Sequence, residues 1–199
     1  MTAQSLHPAD WLPSEIAHLL RPELPPLGPG RPQQALAGSL QEADPNGWKR
    51  RAGALSADAA ACCMAGLWLW NGFLEDSHSL SQSIHTPEGS WWHGIMHRRE
   101  PDPGNASYWF RRVGDHPLAG PLADGVRGQL AGRDVPVAAS WLQTADRWDA
   151  FRFIDLCEQA RGRGGLLEQL IREVAAIEWY VLFDFCRDAD DPYSFTRSK

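Results

Sequence analysis

Apolar residues recur at helical spacing along most of the chain, and nowhere do they alternate with polar residues over a strand-length stretch. The clearest case is the segment 166–187, in which Leu170, Val174 and Ile177 follow one another at intervals of three or four residues. That period places their side chains on one face of an α-helix. The pattern therefore predicts an all-α protein, folded as a compact multi-helix bundle.

Six further segments are predicted to be helical from their spacing, capping residues and breakers. The longest follows the N-cap Ser56 and is predicted to continue to about Ser81. The others are residues 13–20, 34–43, 90–100, 105–113 and a segment that begins near Ser140 or Ala145 and ends at Ala160. Residues 114–136 contain five glycines and three prolines, which predicts one long irregular connection and the best candidate for a lid.

The N-terminal part of the chain has a different character from the rest. Its first thirty-two residues hold seven of the fifteen prolines. Proline lacks a backbone donor and clashes with the preceding helical turn, so the run RPELPPLGPGRP at residues 21–32 excludes a regular helix. We therefore expect a Pro-rich arm with short helices over residues 1–47. It is predicted to pack on a helical domain over residues 48–199, the two parts forming one globular unit.

Composition narrows the classes of protein that remain. The 199 residues are 43% hydrophobic and 22% charged, which is ordinary for a folded soluble protein and excludes global disorder. A formal net charge of −6 argues against a nucleic-acid partner. No stretch approaches the ~18 continuous apolar residues that cross a bilayer, so we expect no membrane partner and a cytoplasmic location. The four cysteines lack metal or redox spacing and are expected to be reduced.

The segment SWWHGIMHRRE carries the candidate chemistry of the chain. His93, His97 and Glu100 occur at positions i, i+4 and i+7, which places their side chains on one helical face. Because an unperturbed histidine titrates near neutrality, His97 is the candidate proton carrier. His93 lies beside it, and Glu100 is placed to orient or charge it. These three are the predicted catalytic residues.

The same spacing is compatible with a metal ion. His93 and His97 at i and i+4 can both reach one ion, and a catalytic zinc takes three protein ligands. His78 and Glu75 on the preceding helix form a Glu-x-x-His step, as in di-iron bundles, and complete the candidate ligand set. Only one such step is present, where a di-iron site has two, so the spacing favours the absence of a metal over zinc or iron.

Two pairs of adjacent arginines lie in the segment SWWHGIMHRRE and in the predicted helix 105–113 that follows it. The functional interpretation is a recess in which Arg98 and Arg111 hold an anionic group of a small molecule, because a guanidinium matches a carboxylate or phosphate. Tyr108 and Asn105 complete the candidate substrate-binding residues.

A structural interpretation is favoured for the other member of each pair. Arg99 and Arg112 are expected to form salt bridges at helix ends with Glu100, Asp102 and Asp115. The turn Gly162-Arg163-Gly164-Gly165 can receive a phosphate at a helix N-terminus. It lacks the lysine and the strand of a P-loop, which favours a simple connector between helices.

Two acidic residues interrupt apolar helical stripes, Glu178 in the last predicted helix and Asp155 in the run FRFIDLC. A carboxylate without a partner in an apolar environment is strongly disfavoured. We therefore predict that both are buried and that each accepts a hydrogen bond from an arginine or another donor.

Three segments resemble those of an uncharacterised family of bacterial and fungal proteins. They are HGIMHRREPDPGNASYWFRRVGDHP at residues 93–117, WDAFRFIDLCEQA at residues 148–160 and EWYVLFDFC at residues 178–186. The resemblance covers roughly residues 60–187, with the arm outside it. It implies no activity and assigns no catalytic residue.

Two classes of function therefore stay open. The first is a small-molecule-binding protein or enzyme with a His/Glu/Arg pocket between helices, performing acid/base chemistry on an anionic substrate. The second is a non-catalytic interaction or structural protein, in which the same residues form a buried hydrogen-bond network. The spacing by itself favours the network first, a metal-free pocket second and a metal site third.

Overall fold

The computed structural model describes residues 7–49 and 55–188. All regular elements in these two ranges are helices, so the all-α prediction is confirmed. No helix in them is both long and apolar enough to span a bilayer. Within them the α-helices are α1 (Ser14–Ala17), α2 (Ala37–Glu42), α3 (Ala57–Trp70), α4 (Leu74–Ser81), α5 (Pro87–Arg99), α6 (Pro103–Val113), α7 (Ala119–Leu130), α8 (Ala150–Ala160) and α9 (Gly165–Asp188). Short 3-10 helices span Pro8–Asp10, Gln34–Leu36, Pro45–Trp48 and Val137–Gln143.

Helix α5 lies at the centre of the helical body, where it packs against α3, α4 and α6. Its residues 88–99 are all buried. Glycines allow the neighbouring helices to approach it closely. A Cβ atom at Gly94 would lie 2.9 Å from the ring of Phe110 on α6, and one at Gly66 on α3 would lie 2.8 Å from Trp92. Helix α9 contacts α3, α7 and α8 on the other side of the core.

The prediction of one continuous helix over residues 56–81 is wrong, because α3 and α4 are separate helices. Between them Gly72 has a φ of +83°, a left-handed conformation that residues with a side chain resist. A Cβ at Gly72 would also lie 2.7 Å from the carbonyl oxygen of Arg31 in the arm. The buried amide of Asn71 donates to the carbonyl of Leu19, again in the arm, at 2.7 Å. The docked arm therefore stabilises the break.

The prediction of an irregular connection and lid over residues 114–136 is also wrong, because residues 119–130 form α7. Leu122, Val126 and Leu130 recur at intervals of four residues, and all three are buried. Pro121 lies in the first turn of the helix, where its missing N–H has no intrahelical partner to lose. The short apolar stripe thus outweighs the glycine content.

Helix α8 begins at Ala150, later than the predicted residues 140–145. The side chain of Asp149 accepts hydrogen bonds from the backbone N–H groups of Phe151 and Arg152 at 3.1 and 3.0 Å. This is a standard N-cap, which defines the first turn. The segment 137–143 before it forms a 3-10 helix instead.

The Pro-rich arm is attached to the helical body through its backbone carbonyl groups. Three arginines of the body, Arg99, Arg161 and Arg172, donate hydrogen bonds to it. Their acceptors are the carbonyl oxygens of Leu24, Pro25, Leu27, Gly28 and Pro29. Such bonds suit a Pro-rich segment, in which donors are scarce but every residue keeps its carbonyl.

Candidate functional site

His78, His93 and His97 come together between α4 and α5, and we refer to them as the histidine cluster. One ligand atom of each lies within 4.8 Å of the others. The ring centroid of His78 is 4.7 Å from that of His93 and 5.4 Å from that of His97. In the described ranges this is the only group of three or more His, Cys, Asp or Glu side chains so arranged. The predicted convergence of these histidines from adjacent helices is confirmed.

Local sequence explains why α5 presents two of these rings together. The hydroxyl of Thr86 accepts a hydrogen bond from the N–H of Gly89 at 3.2 Å, and Pro87 occupies the first helical position. Both features favour a helix start at this point. His97 follows His93 by four positions, slightly more than one turn, so their imidazoles lie next to each other on one face.

A hydrogen-bonded chain joins the α5 histidines to an acidic group. The Nε2 atoms of His93 and His97 lie 3.0 Å apart, and the Nδ1 atom of His97 lies 3.0 Å from the Oε2 atom of Glu100. With both rings neutral, His97 donates from Nδ1 to Glu100, and its Nε2 accepts the N–H of His93. The lone pair of His97 Nε2 therefore faces the other histidines.

Burial keeps these two imidazoles neutral. Desolvation, followed by the neighbouring His97 and His78, lowers the pKa of His93 from 6.5 to about 3. Desolvation also lowers the pKa of His97, although its hydrogen bond to Glu100 acts in the opposite direction. A neutral imidazole is the form that binds a metal or accepts a proton.

Trp109 on α6 covers the cluster and is a site residue that the sequence analysis did not identify. Its ring stacks on that of His93, with the centroids 3.9 Å apart and the planes at 23°. The sequence did contain one indication of this contact. The connection between α5 and α6 is short, so residues on the two helices that it joins are expected to lie close together.

The two acidic residues that were predicted to belong to the site, Glu100 and Glu75, lie in different environments. Glu100 is half exposed at its side chain, with 56% of its surface accessible, and touches His97. Glu75 is exposed on α4 and is not part of the group of converging ligand atoms. The structure therefore does not bring Glu75 to the histidine cluster, because this residue lies exposed in the first turn of α4.

The predicted substrate-binding residues do not form one recess. Arg111 and Tyr108 are exposed on α6. Asn105 is exposed in the first turn of α6, where its backbone and side-chain N–H groups bind Asp102 at 2.9 and 2.7 Å. Arg98 is buried in the core, away from these exposed groups.

Arg98 and Glu178 form a fully buried ion pair. Nη1 of Arg98 lies 3.3 Å from Oε1 of Glu178, and Nη2 contacts Oε2. The indole N–H of Trp91 donates to the same carboxylate at 3.0 Å. Burial works against the charged guanidinium, but the charge of Glu178 raises the pKa of Arg98 above its usual value. The prediction that Glu178 is buried and hydrogen-bonded is confirmed, whereas Arg98 is unavailable to a ligand.

Asp155 contradicts the prediction made for it, because it is exposed on α8. The neighbouring Ile154 and Leu156 are both buried. A helix of 3.6 residues per turn can leave one narrow strip exposed between flanking buried positions. The apolar residues on either side of Asp155 in the sequence therefore do not imply that Asp155 itself faces the core.

Arg99 also departs from the predicted helix-end salt bridge. Its guanidinium is buried and binds the carbonyl oxygens of Leu69, Gly28 and Pro29. Desolvation lowers its pKa to about 9. The hydrogen bonds of Arg99 connect the end of α3 to the arm.

The glycine turn before α9 holds no open anion site. The carboxylate of Glu168 accepts the backbone N–H groups of Gly162 and Gly164, at 3.0 and 2.6 Å. A side chain of the helix itself thus occupies the position at which a phosphate would bind.

Glu88 and His116 form a second buried acid–base pair that the sequence analysis missed. Nε2 of His116 lies 3.1 Å from Oε1 of Glu88, and its Nδ1 accepts the backbone N–H of Leu118 at 3.2 Å. The pair links the start of α5 to the connection between α6 and α7. The hydrogen bond from His116 lowers the pKa of Glu88 even though desolvation acts to raise it.

Comparisons with models of known protein families, with curated proteins and with solved structures found no match to this chain.

Proposed function

We propose that this chain is a helical metal-binding protein in which the histidine cluster holds one divalent transition-metal ion of the zinc class. The observation that carries the proposal is the approach of three imidazole ligand atoms to within 4.8 Å of one another. Three protein ligands leave a fourth position for water or a small molecule, which is the arrangement of catalytic zinc sites.

The lowered pKa values of His93 and His97 support this proposal. A metal ligand must offer a lone pair, and both α5 histidines have a lowered pKa. The ion therefore does not compete with protons on these two rings at neutral pH. His93 would release its hydrogen bond to His97 and change to the tautomer with the proton on Nδ1, which frees its Nε2 lone pair for the ion.

Glu100 has the placement of a carboxylate that orients a metal-bound histidine. It accepts the Nδ1 proton of His97 at 3.0 Å, which holds the ring with Nε2 toward the other histidines. This carboxylate–histidine–metal relation fixes the tautomer and strengthens the ligand. In this proposal Glu100 is a positioning residue and does not contact the ion.

The distances between the histidine nitrogens require one adjustment before the cluster can hold an ion. Metal–nitrogen bonds of about 2.1 Å in a tetrahedral site place two ligand nitrogens about 3.4 Å apart. His93 and His97 are already at 3.0 Å. His78 is the least buried of the three residues, and its side chain would close the remaining gap on binding.

The ion would supply the chemistry that the side chains lack. A zinc ion acidifies its bound water to a pKa of about 7 and polarises a coordinated carbonyl or phosphoryl group. In this proposal His93, His97 and Glu100 hold and orient the ion, instead of transferring protons directly as the sequence analysis predicted. Cytoplasmic location and the absence of nucleic-acid and membrane partners stay predictions.

The test is metal binding by the purified full chain. Metal-free protein is titrated with Co²⁺, whose visible absorption reports coordination by nitrogen ligands, and then with Zn²⁺ in competition. We expect one ion per chain. His93→Ala is expected to abolish binding, and Glu100→Gln to weaken it by about ten-fold or more.

The matched control is His85→Ala, which removes an exposed histidine between α4 and α5 and is expected to leave binding unchanged. Absence of binding by the wild-type protein, or retention of binding by His93→Ala, would contradict the proposal. The histidine cluster would then be a structural hydrogen-bond network.

A further inference from the structure

Trp109 on α6 holds the ring of His93 from one side. The two rings are close to parallel, with an angle of 23° between their planes and 3.9 Å between their centroids. Gly94 allows α6 to come this near, because a Cβ at that position would lie 2.9 Å from the ring of Phe110. The guanidinium carbon of Arg112 lies 5.2 Å from the centroid of Trp109 and attracts its ring. Trp109 is therefore fixed between α5 and a cation on its own helix.

This stack restricts the orientation of His93. Turning the imidazole out of its plane would lose a contact that stabilises aromatic pairs beyond the area they bury. The other rings that contact His93 in the described ranges are those of His78 and His97, at centroid distances of 4.7 and 4.8 Å. Both of these residues are proposed ligands. Trp109 therefore holds the imidazole without competing for the ion.

The backbone of α4 supplies a second restraint on the same ring. A stack fixes the plane of an imidazole but not which way round its two nitrogens lie. Against the effect of desolvation, the backbone carbonyl of Ser81, the last residue of α4, acts to raise the pKa of His93, as a hydrogen-bond acceptor does. This carbonyl is therefore an acceptor for a ring N–H of His93.

The metal-free arrangement leaves this acceptor unused. The Nδ1 atom of His93 is buried and makes no hydrogen bond. With the proton on Nε2, where it joins His93 to His97, the Nδ1 atom offers only a lone pair to a carbonyl oxygen. A buried polar atom without a partner is costly. The other tautomer, with the proton on Nδ1, removes this cost and also frees Nε2.

We propose that Trp109 and the backbone carbonyl of Ser81 are positioning groups that hold His93 with Nε2 toward the ion and the proton on Nδ1. This inference rests on the proposed metal site and names what controls its affinity. Binding of the ion at Nε2 moves the His93 proton to Nδ1, and the carbonyl of Ser81 accepts its hydrogen bond. Glu100 has the corresponding role for His97, so each α5 ligand has its own positioning group.

The first test replaces Trp109 in the full chain and measures Co²⁺ affinity from the visible spectrum of the ion. Trp109→Leu removes the stack but keeps apolar volume. It is expected to weaken Co²⁺ binding by about three- to ten-fold, because the ring of His93 must then be immobilised on binding. Trp109→Phe keeps an aromatic ring against His93 and is expected to bind within about two-fold of wild type.

Trp141→Leu is the matched control for this test. Trp141 is also half-buried and lies beneath an arginine, with the guanidinium carbon of Arg152 4.5 Å from its ring centroid. Its aromatic neighbour is Trp148, at 6.4 Å, and not a histidine of the cluster. This variant is expected to bind Co²⁺ within about two-fold of wild type, whatever stability it loses in urea. A loss of affinity as large as that of Trp109→Leu would mean a general effect of destabilisation and would overturn the role of Trp109.

The second test locates the proton of His93 by NMR of the imidazole nitrogens, with His93→Gln used to assign its signals. The proton is expected on Nε2 in the metal-free protein and on Nδ1 in the protein loaded with Zn²⁺. A proton on Nε2 in the loaded protein would mean that the ion binds Nδ1, which overturns the role of Ser81. A proton on Nδ1 in the metal-free protein would overturn the transfer between the two nitrogens.

The outcomes also separate this inference from the proposed function. If wild-type protein gives no Co²⁺ spectrum, the metal site is overturned and this inference with it. If Co²⁺ binds to wild type and equally well to Trp109→Leu, the metal site stands and the role of Trp109 is overturned.

Discussion

Helix α5 carries two polar clusters that differ in how completely their groups are paired. The Arg98–Glu178 pair is buried on all sides, with side-chain exposures of 3% and 0%. Phe153 lies 4.6 Å from its guanidinium, and Trp91 binds its carboxylate. The histidine cluster carries no such charge pair, is only partly hydrogen-bonded, and reaches the surface through Glu100 and His78.

The difference distinguishes a structural cluster from a candidate functional one. A buried charge pair with all partners in place leaves nothing for a ligand to bind, and its loss affects stability. A group of imidazoles in which His93 and His97 share one hydrogen bond gains little from that bond. It can gain much more from an ion. Four predictions test this contrast, in order of decreasing effect.

The largest effect is expected from Glu178→Ala, which leaves the charge of Arg98 buried without a partner. We expect the free energy of unfolding to fall by about 3–5 kcal/mol, as measured by urea denaturation. The double variant Arg98→Met/Glu178→Leu removes both charges and keeps apolar volume, so it should recover most of this loss. A double variant as unstable as the single one would show that the ion pair itself is indispensable.

The metal-free protein should lose stability as the pH falls through the range in which histidine titrates. The pKa of His93 is about 3 in the folded state and 6.5 when unperturbed, so the unfolded chain binds more protons below pH 6.5. By linkage, this single group can remove up to about 3 kcal/mol between about pH 6.5 and about pH 4. Desolvation also lowers the pKa of His97, which adds to the loss of stability in the same direction.

The control for this pH effect is His93→Gln, measured by chemical denaturation over the same range. This variant is expected to be less stable at pH 7 but to have a shallower dependence of stability on pH. Equal slopes in the two proteins would show that folding does not lower the pKa of His93.

Zinc should stabilise the wild-type protein and not the His93→Ala variant. A ligand that binds only the folded state adds about 2.7 kcal/mol when its free concentration is 100 times its dissociation constant. We expect a rise in melting temperature of several degrees, which a chelator reverses. A similar shift in His93→Ala would place the zinc elsewhere on the protein.

The smallest effect is expected from Asp155→Ala. Because Asp155 is exposed, its replacement should change the free energy of unfolding by less than about 0.5 kcal/mol. Glu178→Ala is the matched comparison, because both carboxylates are flanked by apolar residues in the sequence. A loss of more than about 2 kcal/mol in Asp155→Ala would reveal a partner for this carboxylate in the folded protein.

Local sequence determined most of the helices and half of the candidate site. The regular apolar stripe of α9 and the cap at Thr86 are local features, because helical period and capping involve residues only a few positions apart. The same holds for His93, His97 and Glu100, whose common face follows from their spacing on a single helix.

Tertiary structure decided what local spacing could not. The break between α3 and α4 depends on the arm, because the carbonyl group of Arg31 approaches Gly72. This break determines how α4 lies against α5, and therefore where His78 lies. Asp155 and Glu178 have similar sequence surroundings but opposite exposures, because α9 faces Arg98 at residue 178 while α8 exposes residue 155 to solvent. The stacking of Trp109 on His93 likewise requires α5 and α6 to pack together. Such contacts join residues on different elements, and the period of one helix contains no information about the helix that packs against it.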